Sequence, residues 1–154
     1  MNTQLKSTWS SSLARQPYAV DTGKARDYLL DVSNGDARAS PEALTLDTLR
    51  AARNLALDDA HLQTVLATDA AVVQSLMDQR RVLTPESSEG RRALLLVRLH
   101  RALGDVFGSL DHVHRWLDTE HAELRGRPRE LMGTADGLAD VVILIESRSK
   151  DPAW

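Results

Sequence analysis

His112, His114 and His121 fall close together in the chain, beside Trp116 and the carboxylates of Glu120 and Glu123. Imidazole nitrogens and carboxylate oxygens at this density are the raw material of a zinc site or a general acid–base pair. Their spacing argues against both. On a helix, His112 and His114 point to different faces, and a turn is expected between His114 and His121. No His-x-x-x-His pair occurs, and His61 and His100 stand alone. All five histidines are therefore read as surface or helix-edge residues, and no metal is expected. Glu120 with Glu123, and Asp136 with Asp140, could pair on one helix face, but in an acidic helical surface they are read as solvated charges. "GSLDHV" and "GTADGLAD" lack the pattern of a phosphate-binding loop, and no serine sits in a nucleophile elbow. There is no cysteine, which excludes thiolate ligands, disulfides and cysteine nucleophiles. The residues predict no catalytic group and no cofactor. They describe a binding protein, not an enzyme.

The elements that carry these residues are expected to be helices. Hydrophobic residues make up 42% of the 154, but aromatics only 4%, so a core must be built from Leu, Val, Ala and Ile. Such a composition favours helices packed along aliphatic seams. Ser40-Pro41-Glu42 reads as an N-cap followed by proline at the first helical position. Leu46, Leu49, Ala52 and Leu55 then follow at helical spacing. Asp58 or Asp59, Asp69 and Ser109 are candidate caps for later helices, and "TPESSEG" reads as a loop. "RRALLLVRLHRALGDVFG" predicts the strongest helix, with a wide apolar face and arginines on the remainder. Short and long helices follow Pro128 and Ala135. "VVILI" is β-branched, but its flanks favour a buried helix. The fold class is all-α.

Met1–Gln16 is rich in Ser and Thr without periodicity, and residues 1–20 are expected to be a disordered arm. A short helix, Thr22 to Val32, is expected before Asn34-Gly35. No N-terminal apolar run resembles a secretory signal, and no apolar run approaches membrane-spanning length. With the missing cysteines, this predicts a cytoplasmic protein. The net charge is −3, and the acidic surplus lies in residues 105–154, which carry 6 basic and 10 acidic groups. Different parts of the chain are thus expected to face different partners.

"LQTVLATDAAVVQSLMDQRRVLTP" has the logic of a helix-turn-helix, expected over 62–81. Leu62, Val65 and Leu66 supply the first apolar set. Ala67 stands at the turn, Asp69 caps, and Val72, Val73 and Leu76 pack the second helix back. The spacing resembles the Cro/repressor-type helix-turn-helix. The exposed face of the second helix is expected to offer Gln74, Ser75, Gln79, Arg80 and Arg81 to DNA, since Gln pairs with adenine and Arg with guanine or phosphate. Ala70, Ala71 and Asp69 at its start suit DNA poorly, and the alternative is a core or dimerisation unit. Operator binding would require a homodimer.

The last third carries Phe107-Gly108, Trp116-Leu117 with Thr119, then Leu124, Gly126 and Pro128. Leu131, Thr134, Gly137, Val141 and Leu144-Ile145 follow. In order and spacing these resemble the toxin-binding domain of the Xre/MbcA/ParS antitoxin family. The chain departs from that pattern at Glu120-His121, where the family usually has Pro-Asn, and at Glu146-Ser147-Arg148, where it often has glycine. The resemblance implies a helix-turn-helix module over 21–104 and a small helical toxin-binding bundle over 105–154. It implies a type II antitoxin. Its partner would be a RES-type, NAD-consuming toxin or an ADP-ribosyltransferase-like one, whose active-site entrance it blocks. Binding of the complex to its own promoter is also implied. Trp116 is read as the anchor of that domain and is counted among its toxin-binding residues. Arg148, Lys150, Pro152 and Trp154 are read as a plug, with an aromatic anchor and two rim cations. A stand-alone helix-turn-helix regulator without a toxin is the alternative.

Overall fold

The structure is a computed structural model that describes residues 40–150. The expected arm, the expected helix over 22–32, and Pro152 and Trp154 lie outside the described residues. Within them the chain forms seven helices and no strand. These are α1 (Pro41–Asn54), α2 (Asp59–Leu66), α3 (Ala70–Met77), α4 (Ser88–Phe107), α5 (Leu110–Asp118), α6 (Pro128–Leu131) and α7 (Ala135–Ser149). The all-α expectation holds, and "VVILI" is helical.

The starts are dictated by side chains that satisfy orphan amides. Ser40 accepts from Ala43 N, Asp58 from His61 N and Asp69 from Val72 N. Ser109 and Thr134 do the same for α5 and α7. α4 begins earlier than the run of apolar residues suggests. Ser87 caps it by accepting from Gly90 N at 2.9 Å, so the second half of "TPESSEG" is helix. A side chain at position 90 would place its Cβ 1.8 Å from the Thr84 carbonyl oxygen, so only glycine lets the preceding turn close onto α4.

The first three helices end without glycine. Ala56, Ala67 and Gln79 adopt left-handed φ of 57°, 54° and 60°. In each case the next amide reaches back five residues: Leu57 N to Ala52 O, Thr68 N to Gln63 O, Arg80 N to Ser75 O, all at 2.9 Å. This is the Schellman closure. Left-handed backbone costs a residue with a Cβ about 1–2 kcal/mol, which the returned hydrogen bonds offset.

α4 is the centre of the molecule. Leu95, Leu96, Leu99 and Leu103 are fully buried on it. It packs on α1, α2, α5 and α7, and α7 contributes Leu138, Val141, Val142, Leu144 and Ile145 to the shared core. The boundary expected between residues 104 and 105 therefore falls inside one continuous helix. α4 thus packs on both earlier helices, α1 and α2, and later ones, α5 and α7. On α1 the inward face is Leu44, Thr48, Ala51, Ala52 and Leu55, and Leu46, expected in that series, is 55% exposed. Thr45 and Thr48 are buried because their hydroxyls donate to the carbonyls four residues back, both at 2.7 Å.

Candidate functional site

In the region read as a helix-turn-helix, α2 and α3 are joined through Ala67, and Asp69 caps α3, as the spacing predicts. The surface chemistry differs from the expectation. α3 ends at Met77 because Asp78 and Gln79 close it, so Gln79, Arg80 and Arg81 are not on its face. Arg80 pairs with Asp78 at 3.0 Å and Arg81 with Glu89 at 3.2 Å. Gln74 donates to Asp78 at 2.9 Å, and the Ser75 hydroxyl donates to Ala71 O at 2.9 Å. The chain from Asn54 to Gln79 contains Asp58, Asp59, Asp69 and Asp78 and no Lys or Arg. Phosphate contacts dominate DNA affinity, and the exposed face of α3 presents no cation to make them.

In the last third, Trp116 is 7% exposed and lies inside the bundle. Its ring sits 6.0 Å from that of Phe107 and 4.8 Å from that of His121. His121 Nε2 donates to the Trp116 carbonyl at 2.9 Å. The loop carrying His121 closes on itself, with His121 N donating to Gly126 O at 3.0 Å. Glu120-His121 thus supplies a stacking ring and a hydrogen bond at the point where the chain departs from the family pattern. The indole N–H of Trp116 is buried without a hydrogen-bond partner. Trp116 is an anchor, as its position suggests, and offers almost no surface of its own.

A second cluster joins the two ends of the described chain. α1 ends with three carbonyls that its own helix leaves unsatisfied. His114 Nε2 donates to Asn54 O at 2.7 Å, and Arg129 donates to Leu55 O at 2.7 Å and Ala56 O at 3.4 Å. The same guanidinium grips Asp118 through two bonds, at 2.5 and 3.4 Å. Arg129 holds the Asp118 carboxyl below its ordinary value, chiefly by hydrogen bonding. Asn54 Nδ2 donates to His100 Nε2 at 3.0 Å, and burial pushes His100 down, toward the neutral ring that this bond requires. Of the five histidines, His100, His114 and His121 are structural; His61 forms an exposed pair with Asp58. Among the described residues no group of His, Asp or Glu could hold a metal ion.

α7 is tied down by two ion pairs. Arg98 is bidentate to Glu146, at 2.6 and 3.2 Å, and Arg148 meets Glu123 at 2.6 Å. Arg148, expected on the rim of a plug, is thus turned toward the 121–126 loop with its side chain 21% exposed. Lys150 is exposed at the end of α7. Asp140 departs from the expectation of a solvated charge. It is half-buried, and burial together with the neighbouring Asp136 raises it to about 7.

Sequence reasoning missed Arg129, Asp118 and the Arg98–Glu146 pair. No local pattern marks them, because their partners lie up to 74 residues away. No helix among the described residues is long and apolar enough to cross a membrane.

Comparison with known families places this geometry. Residues 102–148 match the family model of the antitoxin Xre/MbcA/ParS C-terminal toxin-binding domain. The match runs from the second half of α4 to the last turn of α7. No curated protein matches the chain.

Proposed function

We propose that this chain, which carries an Xre/MbcA/ParS-type toxin-binding domain over residues 102–148, is a type II antitoxin. It neutralises a cognate toxin by binding and occluding its active site. The toxin is an NAD-consuming RES-type protein or an ADP-ribosyltransferase-like one. The observation that carries this reading is that the matched segment, the end of α4 with α5 to α7, packs around the buried Trp116. The mechanism is occlusion, and none of the chain's own groups performs chemistry. The surface presented to the toxin is the end of α7, with Lys150, Pro152 and Trp154 forming a plug. Trp116 holds the scaffold behind it.

The same protein acts as a homodimer and represses its own operon. α3 carries no cation on its face, and we assign the DNA contact to the loop after it, where Arg80 and Arg81 stand. Co-expression with the neighbouring reading frame, followed by co-purification, tests the antitoxin reading. A neighbour that neither binds nor is neutralised would remove it. Deleting Lys150–Trp154 is expected to abolish protection of cells while leaving a cooperative thermal transition. Arg80→Ala with Arg81→Ala is expected to weaken a promoter gel shift; unchanged affinity places DNA contact elsewhere.

A further inference from the structure

Where the second half of α4 meets the end of α7, the helices leave a cleft of about 300 Å³. Its walls include Arg98, Arg101 and Asp105 from α4, and Glu146, Ser149 and Lys150 from α7 and its cap. Arg98 and Glu146 face each other in a bidentate pair, so their charges largely cancel. Arg101 and Lys150 are exposed and form no ion pair among the described residues. Asp105 is the one carboxylate left opposite them on these walls. The cleft therefore keeps a positive balance at its mouth, with two cations that have not been spent on the fold.

We propose that this cleft docks acidic side chains of the toxin. The inference rests on the toxin-binding reading of residues 102–148, whose matched segment contributes Ala102, Asp105 and Glu146 to the walls. It replaces the rim expected from sequence. Arg148 is engaged with Glu123, and the second free cation comes instead from Arg101, 49 residues before Lys150. A protein partner fits better than a nucleic acid. The site is concave, takes a few side chains, and its own Asp105 and Glu146 would oppose a line of phosphates. A carboxylate entering between Arg101 and Lys150 meets both cations without displacing the Arg98–Glu146 pair. Charge complementarity of this kind chiefly sets association rate, specificity and salt dependence.

The test uses the full chain and the protein encoded by the adjacent reading frame. Arg101→Glu, Lys150→Glu and the double variant are compared with Arg53→Glu, an exposed arginine on α1 away from the cleft. Thermal melting checks that each is folded, and Arg101→Gln serves if the reversal disturbs α4. The expected result is a Kd raised at least tenfold for the double variant, with a flatter dependence on salt, and no change for Arg53→Glu. If the parent binds and the double variant binds equally well, the cleft proposal fails and the antitoxin reading stands. If the parent itself does not bind, both fall. Loss of a promoter gel shift with toxin binding intact would make the cleft a phosphate site and overturn the proposal.

Discussion

Replacing Arg129 with alanine removes the one side chain that ties the end of α1 to both α5 and α6. Its guanidinium donates to the carbonyls of Leu55 and Ala56 and to the Asp118 carboxylate, and the side chain is 14% exposed. The carbonyl of Leu55 belongs to a fully buried residue, and truncation leaves it without its donor. A hydrogen bond from a charged group contributes about 1.5–3 kcal/mol. The Asp118 side chain is 57% exposed, so that ion pair adds less than about 1 kcal/mol. The sum is about 2–3 kcal/mol. At about 2–4 °C per kcal/mol for a chain of this size, Tm should fall by about 4–12 °C. The assay is thermal unfolding at neutral pH followed by far-UV circular dichroism. Asp118→Ala should cost no more than about 1 kcal/mol, because the carbonyl bonds survive it. The Asp118 carboxyl titrates below its ordinary value when folded. Its contribution is therefore present above pH about 4 and lost as pH falls further. The gap between parent and Arg129→Ala should narrow in acid without closing, since the carbonyl bonds do not titrate. A Tm for Arg129→Ala within about 2 °C of the parent, against the shift expected at this chain length, would refute the reasoning. So would an Asp118→Ala loss of equal size.

Two further perturbations follow from buried groups. Asp140 is raised to about 7 by burial and by Asp136, so the folded state holds its proton more tightly than the unfolded chain. Stability is lost as pH rises from about 4 through 7. The advantage of Asp140→Asn over the parent should grow across that window and level off above it, in a series of Tm values against pH; parallel profiles would contradict the burial argument. A Cβ at Gly137 would lie 2.1 Å from the Leu131 carbonyl oxygen and 2.8 Å from the Thr134 hydroxyl oxygen. Gly137→Ala should therefore open the α6–α7 turn and cost about 1–3 kcal/mol, read from the denaturant midpoint, and an unchanged midpoint would show that the turn has slack.

Most helix starts were legible because they depend on one side chain and an amide three residues on. Ser40, Asp69 and Ser109 act where the sequence places them, and Asp58 takes the place left open between it and Asp59, but Ser87, the cap of α4, lay unread in "TPESSEG". Helix ends were less legible. Ala67 could be placed from the helix-turn-helix spacing, but Gln79 is a left-handed residue with no glycine to signal it. That single omission put Arg80 and Arg81 on the wrong element. Trp116 was readable as an anchor from its place in the family-like motif, and it is 7% exposed. The Asp136–Asp140 pair was not, because the half-burial of Asp140 depends on how α7 packs and not on spacing.

The least legible feature bears most directly on function. The helix-turn-helix spacing and the family resemblance suggested two modules meeting near residue 104, each with its own partner. The packing instead gives both modules the same helix, α4, and a second connection at the end of α1. His114 and Arg129, from the last third, satisfy carbonyls that the first helix leaves open. Arg101, just before the matched segment, lines the same cleft as Lys150 just after it. A contact made at that cleft therefore acts on a helix that also packs on α1 and α2. Cutting the chain at residue 104 would sever α4 and expose Leu95, Leu96 and Leu99 on one side. A residue buried this fully stabilises by about 1.5–3 kcal/mol, so loss of these contacts would be comparable to the whole margin of a small domain, about 5–15 kcal/mol. The matched segment is thus part of a core shared with the whole described chain, to which the N-terminal helices contribute through α4.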